Sequence, residues 1–250
     1  RESRERDMVQ FVFLHGGGQG SWVWDETIVA IGRQSQGKAQ CLALDAPGCG
    51  RKRGVDTAGY AFVDTTRELL GDIQRAGMLD VVLVGHSQAG MTLPHMAELA
   101  PPGLIRKLVY VSCSAPLSGL TTLEQMGRGK HGDSPDEVGF PLGPDASMEE
   151  RYAVMFCNDM AEADRGNFLA KLGKDAWPAS AYTYNDWRYE HLRGIPSSYV
   201  VALQDGVLPV EWQERFADRL HARRMVRIDA GHQVMNTRPE ALAEVLLAEA

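Results

Sequence analysis

The stretch Val81–Thr92, VVLVGHSQAGMT, constrains this chain more than any other. Four apolar residues, three of them β-branched, read as a buried strand. They run directly into Gly85-His86-Ser87-Gln88-Ala89-Gly90, and helix-compatible residues follow. A strand that turns sharply into a helix with a serine at the apex lifts the hydroxyl above the sheet edge. It also leaves the next backbone N–H pointing at whatever that hydroxyl attacks. The usual Gly-x-Ser-x-Gly has its second glycine where this chain has Ala89, but Gly90 follows at once, so close strand–helix packing stays available. Such a serine can also do no more than cap the helix; residues elsewhere in the chain decide between the two uses.

Around this stretch the apolar pattern alternates between strand and helix. Val9–Leu14 reads as a strand, followed by the glycine-rich turn His15-Gly16-Gly17-Gly18-Gln19-Gly20 and a helical stretch from Ser21. The turn matches neither Gly-x-x-x-x-Gly-Lys-Ser/Thr nor Gly-x-Gly-x-x-Gly and has no lysine placed for phosphate. Its other use is to turn backbone N–H groups toward a developing oxyanion. Lys38–Asp45 is a second strand closed by a Pro/Gly loop, with Asp45 expected to accept loop N–H bonds. Gly59–Ala76 carries Phe62, Leu69, Leu70 and Ile73 on one helical face. After the Ser87 turn, a helix runs to about Leu99, and Leu104–Val111 is a further strand. The order β-α-β-α-β-α-β predicts an α/β fold with a doubly wound, mostly parallel sheet.

Residues 115–195 break the alternation. They contain no clear strand and instead carry the Gly/Pro/Asp-rich run HGDSPDEVGFPLGPDAS, amphipathic helical pieces and many large side chains. This segment reads as a helical lid inserted after the fourth predicted strand, with the core formed by residues 8–114 and 196–250. Most of its aromatics are expected to form the lid's own core. Gly16, Met155, Phe156, Trp177 and Trp187 are the residues expected to line an apolar substrate pocket. Alternation resumes with a strand at Ser198–Gln204, a helix from about Pro209, a strand at Arg224–Asp229 and a last helix opening near Pro239.

Charge and cysteine usage exclude several classes. A net charge of −7 argues against nucleic-acid binding, which needs a basic face, and the Arg51-Lys52-Arg53 run is expected to be a solvated loop. No apolar run approaches the ~20 residues of a membrane span. The four cysteines (Cys41, Cys49, Cys113, Cys157) lack Cys-x-x-Cys spacing, so free thiols and a cytoplasmic location are expected. Residues 1–7, before Met8, lack the apolar centre of a signal peptide and are read as extraneous to the fold.

Ligands of parallel α/β sheets collect at the carboxyl ends of the strands, and three residue types of one catalytic set stand at such ends: Ser87, Asp205 and His232. A serine hydroxyl needs a base to become nucleophilic, imidazole suits that task near neutrality, and a buried carboxylate fixes the imidazole tautomer. Among seven histidines, His232 is singled out by its place just past the last strand. His86 belongs to the elbow and is read as supporting it, while His15 is read as tying down the glycine turn.

The segments FVFLHGGGQGSWVW, LDAPGCG, VVLVGHSQAG, QDGVLPVEWQ and AGHQVMNTRPEALAEVL, in that order, resemble the α/β-hydrolase superfamily. More narrowly, they resemble the branch of plant methylesterases, hydroxynitrile lyases and bacterial small-molecule esterases, including pyrethroid and carbendazim-type carbamate hydrolases. The lid segment MFCNDMAEAD is similar to that branch as well. The resemblance implies Ser87 as nucleophile, His232 as base, Asp205 as orienting acid, and the backbone N–H groups of Gly17 and Gln88 as oxyanion hole. It implies a cofactor-free, metal-free hydrolysis of a small, largely apolar ester or carbamate. The lyases of the branch carry Lys directly after the catalytic His and Thr after the first-turn His, where this chain has Gln233 and Gly16. A lyase or carbon–carbon bond hydrolase on the same scaffold, and a small-ligand receptor that retains the triad, are the alternatives.

Overall fold

A computed structural model describes residues 8–126, 143 and 145–250. Residues 1–7 and most of the Gly/Pro-rich run at 131–147 lie outside the described residues. Six strands form one sheet: β1 (Val9–Leu14), β2 (Ala39–Leu44), β3 (Val81–His86), β4 (Ile105–Val111), β5 (Ser197–Ala202) and β6 (Arg224–Ile228). Their order across the sheet is β2-β1-β3-β4-β5-β6, every pair parallel. The helices in chain order are α1 (Asp25–Gln34), α2 (Phe62–Arg75), α3 (Ala89–Leu99), α4 (Thr122–Met126), α5 (Met148–Cys157), α6 (Glu162–Lys171), α7 (Ser180–Thr183), α8 (Val210–Arg219), α9 (Val234–Thr237) and α10 (Pro239–Glu249). None among the described residues is long and apolar enough to cross a membrane.

Strand periodicity of two sends alternate side chains to opposite faces, and the sheet uses this to build two cores. Phe11, Phe13, Val82, Val84, Val109 and Val111 pack with Ala30 and Ile31 of α1 and Leu242 and Leu246 of α10. Val12, Leu14, Val81, Leu83, Leu108 and Tyr110 pack on the other face with Leu69 and Ile73 of α2, Leu93 and Met96 of α3, and Phe216 of α8. Each fully buried Leu or Phe contributes roughly 1.5–3 kcal/mol, so the central strands fix the register. At the sheet edge, β2 is only partly buried, and Cys41 on it is half-buried, packed against the core from its margin. All four cysteines are free thiols.

Three boundaries shift from the sequence reading for local reasons. The helix from Ser21 begins as a 3-10 turn, Ser21–Trp24, before α1. The start of α2 falls at Phe62 because the Asp64 carboxylate accepts the Ala61 N–H at 2.8 Å. The strand ending in Val84 by composition continues through His86, whose neighbour Val111 extends β4 beside it. The Arg51-Lys52-Arg53 run is solvent-facing as expected, with both arginines exposed, but each side chain is also paired: Arg51 with Asp45, Lys52 with Glu68 and Asp72, and Arg53 with Asp175.

Candidate active site

The turn after β3 is a backward-facing corner. Ser87 has φ +53°, a left-handed conformation that a non-glycine residue adopts only where its surroundings impose it. The Ser87 N–H donates to the Val111 carbonyl at 3.2 Å, and the Ser87 carbonyl accepts N–H bonds from Gly90 and Ser114, both at 3.1 Å. The flanking glycines make room for the corner. A Cβ on Gly85 would lie 2.8 Å from Leu93 Cδ1, and one on Gly90 would lie 2.6 Å from Cys113 Cβ. Close helix approach therefore falls on Gly90, and Ala89 is accommodated.

The glycine turn after β1 packs onto this corner. A Cβ on Gly16 would lie 3.0 Å from Ser87 Cβ, and one on Gly17 would strike the Gln88 carboxamide. The turn is held by His15 and Trp177. His15 donates from Nδ1 to the Gly16 carbonyl at 2.9 Å and accepts the Ala46 N–H on Nε2 at 3.1 Å. Its burial lowers its basicity, which suits this neutral tautomer. The Trp177 indole N–H donates to the same Gly16 carbonyl at 2.9 Å, and its ring meets His15 edge-on at 5.4 Å.

Asp205 and His232 come from the ends of β5 and β6. His232 Nδ1 lies 2.7 Å from Asp205 Oδ2, and both side chains are fully buried. Asp205 Oδ1 accepts the N–H groups of Val207 (2.7 Å) and Leu208 (2.8 Å). The Ser112 hydroxyl donates to Oδ2, the oxygen that also takes the His232 ring N–H. A carboxylate facing four donors is an acceptor only, so His232 carries its proton on Nδ1 and presents a lone pair at Nε2. That Nε2 is buried and has no hydrogen-bond partner among the described residues. His86, from the elbow, donates from Nε2 to the His232 backbone carbonyl at 2.8 Å, with ring centroids 4.5 Å apart. Burial, then the neighbouring His232, push the His86 ring well below the ordinary histidine range, so it stays neutral.

The segment between β4 and β5 reaches these loops directly. Asn158 donates to the Gln204 carbonyl at 2.6 Å, and Asp159 accepts the Gly231 N–H at 2.8 Å, so one turn after α5 braces the approaches to both Asp205 and His232. Phe156 lies 5.8 Å from the His232 ring and 6.1 Å from Phe168. Phe168 in turn walls a cleft of about 370 Å³ with Trp22, Asp159 and Lys171. Met155, on α5, is buried in the core rather than facing the cleft lined by Phe168. Trp187 sits elsewhere: it packs edge-on against Phe62 and Tyr184, and its indole N–H donates to the Leu120 carbonyl at 2.7 Å. Asp45 accepts the loop N–H groups of Ser21 (2.7 Å) and Arg51 (3.2 Å).

Several residues at the site escaped the sequence reading. Ser112 follows β4 in no motif, and only the register of β4 against β5 brings it to Asp205. Asp175 is buried and accepts from Trp22 Nε1 (3.0 Å), the Gly50 N–H (2.6 Å) and both sides of the Arg53 guanidinium (2.7 and 2.9 Å). Burial works against its ionisation, but Arg53 and the Gly50 N–H outweigh that and hold its carboxyl below the usual range. Gln233 lies in a ladder of neutral amides, accepting from Gln19 at 2.8 Å and donating to Asn236 at 2.9 Å.

The comparisons agree with this architecture. The sequence is 27% identical over 254 residues to the carbendazim hydrolyzing esterase of Nocardioides sp. (strain SG-4G), covering 96% of this chain and 99% of that protein. It is 24% identical to methylesterase 17 of Arabidopsis thaliana over 96% of this chain and 91% of that one. The crystal structure of a pyrethroid hydrolase from Sphingobium faniae JZ-2 superposes with a TM-score of 0.74 at 19% identity, covering 96% of each chain. The profile of the alpha/beta hydrolase family matches residues 11–245, and the chain therefore belongs to that family.

Proposed function

We propose that this chain is a cofactor-independent serine hydrolase of small, largely apolar esters or carbamates. The carrying observation is the His232–Asp205 pair, buried and 2.7 Å apart, with His232 Nε2 left without a partner. Such an imidazole is built to accept a proton from a hydroxyl. Ser87, raised on its strained corner, is the hydroxyl in question. His232 removes its proton as Ser87 Oγ attacks the substrate carbonyl, and the imidazolium is stabilised by Asp205. The tetrahedral oxyanion is held by the backbone N–H groups of Gly17 and Gln88, each worth about 3 kcal/mol of transition-state stabilisation. His232 then protonates the leaving alcohol or amine. It next activates a water that releases the acyl- or carbamoyl-enzyme.

Esters and carbamates are favoured by the names of the relatives, which include a carbendazim hydrolyzing esterase and a methylesterase. The helices between β4 and β5 act as the lid, with Phe156, Phe168 and Trp22 leading from the surface cleft to His232. The amide ladder at Gln233 argues against cyanohydrin cleavage, since no ammonium follows the base to stabilise a departing cyanide. A panel of esters, carbamates and amides varied in acyl and leaving-group size tests the reading. Ser87→Ala is expected to lower kcat/KM by at least about 10⁴-fold with the fold intact. Near-full activity in that variant would overturn it.

A further inference from the structure

The residue after the nucleophile carries a side chain that the proposed mechanism does not use. Gln88 is 8% exposed, and its buried Nε2 meets no acceptor of good hydrogen-bond geometry among the described residues, with only the Tyr182 hydroxyl near it. Leaving a buried amide donor unpaired is unfavourable by about 1–3 kcal/mol, and an apolar side chain of similar size would avoid the loss. The carboxamide stands against Gly17, the other proposed oxyanion donor, and the point where a Gly17 Cβ would project is 3.5 Å from the Tyr182 hydroxyl. Tyr182 is raised above the ordinary phenol range by burial, which the Gln88 amide nitrogen, turned toward its hydroxyl oxygen, partly offsets; the second N–H of that amide has no acceptor beside it. An amide N–H left without an acceptor and a phenol hydroxyl therefore lie together beside the proposed oxyanion hole.

We infer that the Gln88 carboxamide, with Tyr182 beside it, is a specificity-determining donor that takes a second hydrogen-bond acceptor of the substrate, next to the scissile carbonyl. The favoured substrates are then esters or carbamates with an ether, carbonyl or ring-nitrogen acceptor close to the reacting carbon, rather than plain alkyl esters. Sites built to hydrogen-bond a substrate group reject analogues lacking it, because their own polar atoms are left unpaired. This inference rests on the serine-hydrolase reading.

The test compares p-nitrophenyl methoxyacetate with p-nitrophenyl butyrate, which differ by an oxygen in place of a methylene. Rates are divided by those of hydroxide-catalysed hydrolysis to remove intrinsic reactivity. The wild type is expected to favour the methoxyacetate by about tenfold in corrected kcat/KM, and Gln88→Leu to bring that ratio close to one, whatever happens to the absolute rates. As an independent readout, Gln88→Leu is expected to melt no lower than the wild type, since it removes an unpaired buried donor. An unchanged ratio in Gln88→Leu, or a marked loss of thermal stability, overturns the inference while leaving the hydrolase reading standing. Failure of the wild type to hydrolyse either ester, with no fluorophosphonate labelling of Ser87, overturns both.

Discussion

Ser112 and Asp205 share a hydrogen bond on the same carboxylate oxygen, Oδ2, that accepts the His232 ring N–H, and Ser112 Oγ lies 3.3 Å from His232 Nδ1. Ser112 is fully buried, has φ +44°, and is fixed by its own N–H on the Val200 carbonyl at 2.9 Å. It therefore touches the His232 ring chiefly through the carboxylate, and in the proposed mechanism it is a positioning residue.

Removing the Ser112 hydroxyl takes away a donor that spreads the Asp205 charge. The protonated imidazole should then be held more tightly. Freed of that donor, the carboxylate no longer holds the ring in line, and this loss of orientation is expected to lower kcat about tenfold in Ser112→Ala despite the tighter hold on the imidazolium. The substitution should also move the acid limb of the kcat/KM profile to higher pH. A loss of activity with the limb unmoved would reduce Ser112 to packing.

Asp175 ties the segment leading to Trp177 onto the loop after β2. In Asp175→Asn the amide would face donors with a donor and leave Arg53 unpaired, so a loss of about 3 kcal/mol is expected. For a protein of this size that is a fall of roughly 6–12 °C in melting temperature. The carboxyl titrates lower in the folded state than its ordinary 3.8. Its contribution is therefore present above 3.8 and lost as pH falls through the folded value. The gap between wild type and variant in chemical denaturation should be constant from pH 5 to 8 and narrow only below about 3.8. A gap that closes near neutrality would contradict the assignment.

His15 and His86 are both buried and less basic than the ordinary 6.5. Below that pH the unfolded chain binds protons that the folded chain does not. Stability thus falls on acidification, by up to about 1.4 kcal/mol per pH unit for each ring. Denaturation at pH 7.5 and 5.5 should show this fall in the wild type. His86→Gln, whose amide can still donate to the His232 carbonyl, should show a visibly smaller one. Equal slopes in the two proteins would mean that His86 is charged in the folded state.

The strands were legible in the sequence because both faces of β1, β3, β4 and β5 are buried, and continuous apolar runs ending in Gly, Asp or His mark such strands wherever they pair. Candidate Ser87 and Asp205 stood out for a related reason, each coming after a strand of that kind, whereas His232 follows β6, whose side chains are mostly exposed, and only its place past the last strand marks it. Ser112 also follows one, but a serine after a valine carries no local signal. What selects it is a positive φ and the lateral order of β4 and β5, both set by tertiary packing. Asp175 was hidden likewise, since its four donors come from two distant segments, the turn holding Trp22 and the loop holding Gly50 and Arg53. The aromatics of residues 115–195 show the limit most clearly. Trp177 and Trp187 look alike in sequence, yet one holds the glycine turn and the other packs against α2.

The central claim is that Ser87 is the nucleophile activated by His232. Incubation with a fluorophosphonate, followed by intact-mass and peptide-mapping measurements, tests it most directly. One adduct per chain, on the peptide containing Ser87, formed readily by the wild type and at least about 10³-fold more slowly by His232→Ala, is the expected result. An adduct on another residue, or labelling of Ser87 at the same rate without His232, would contradict it.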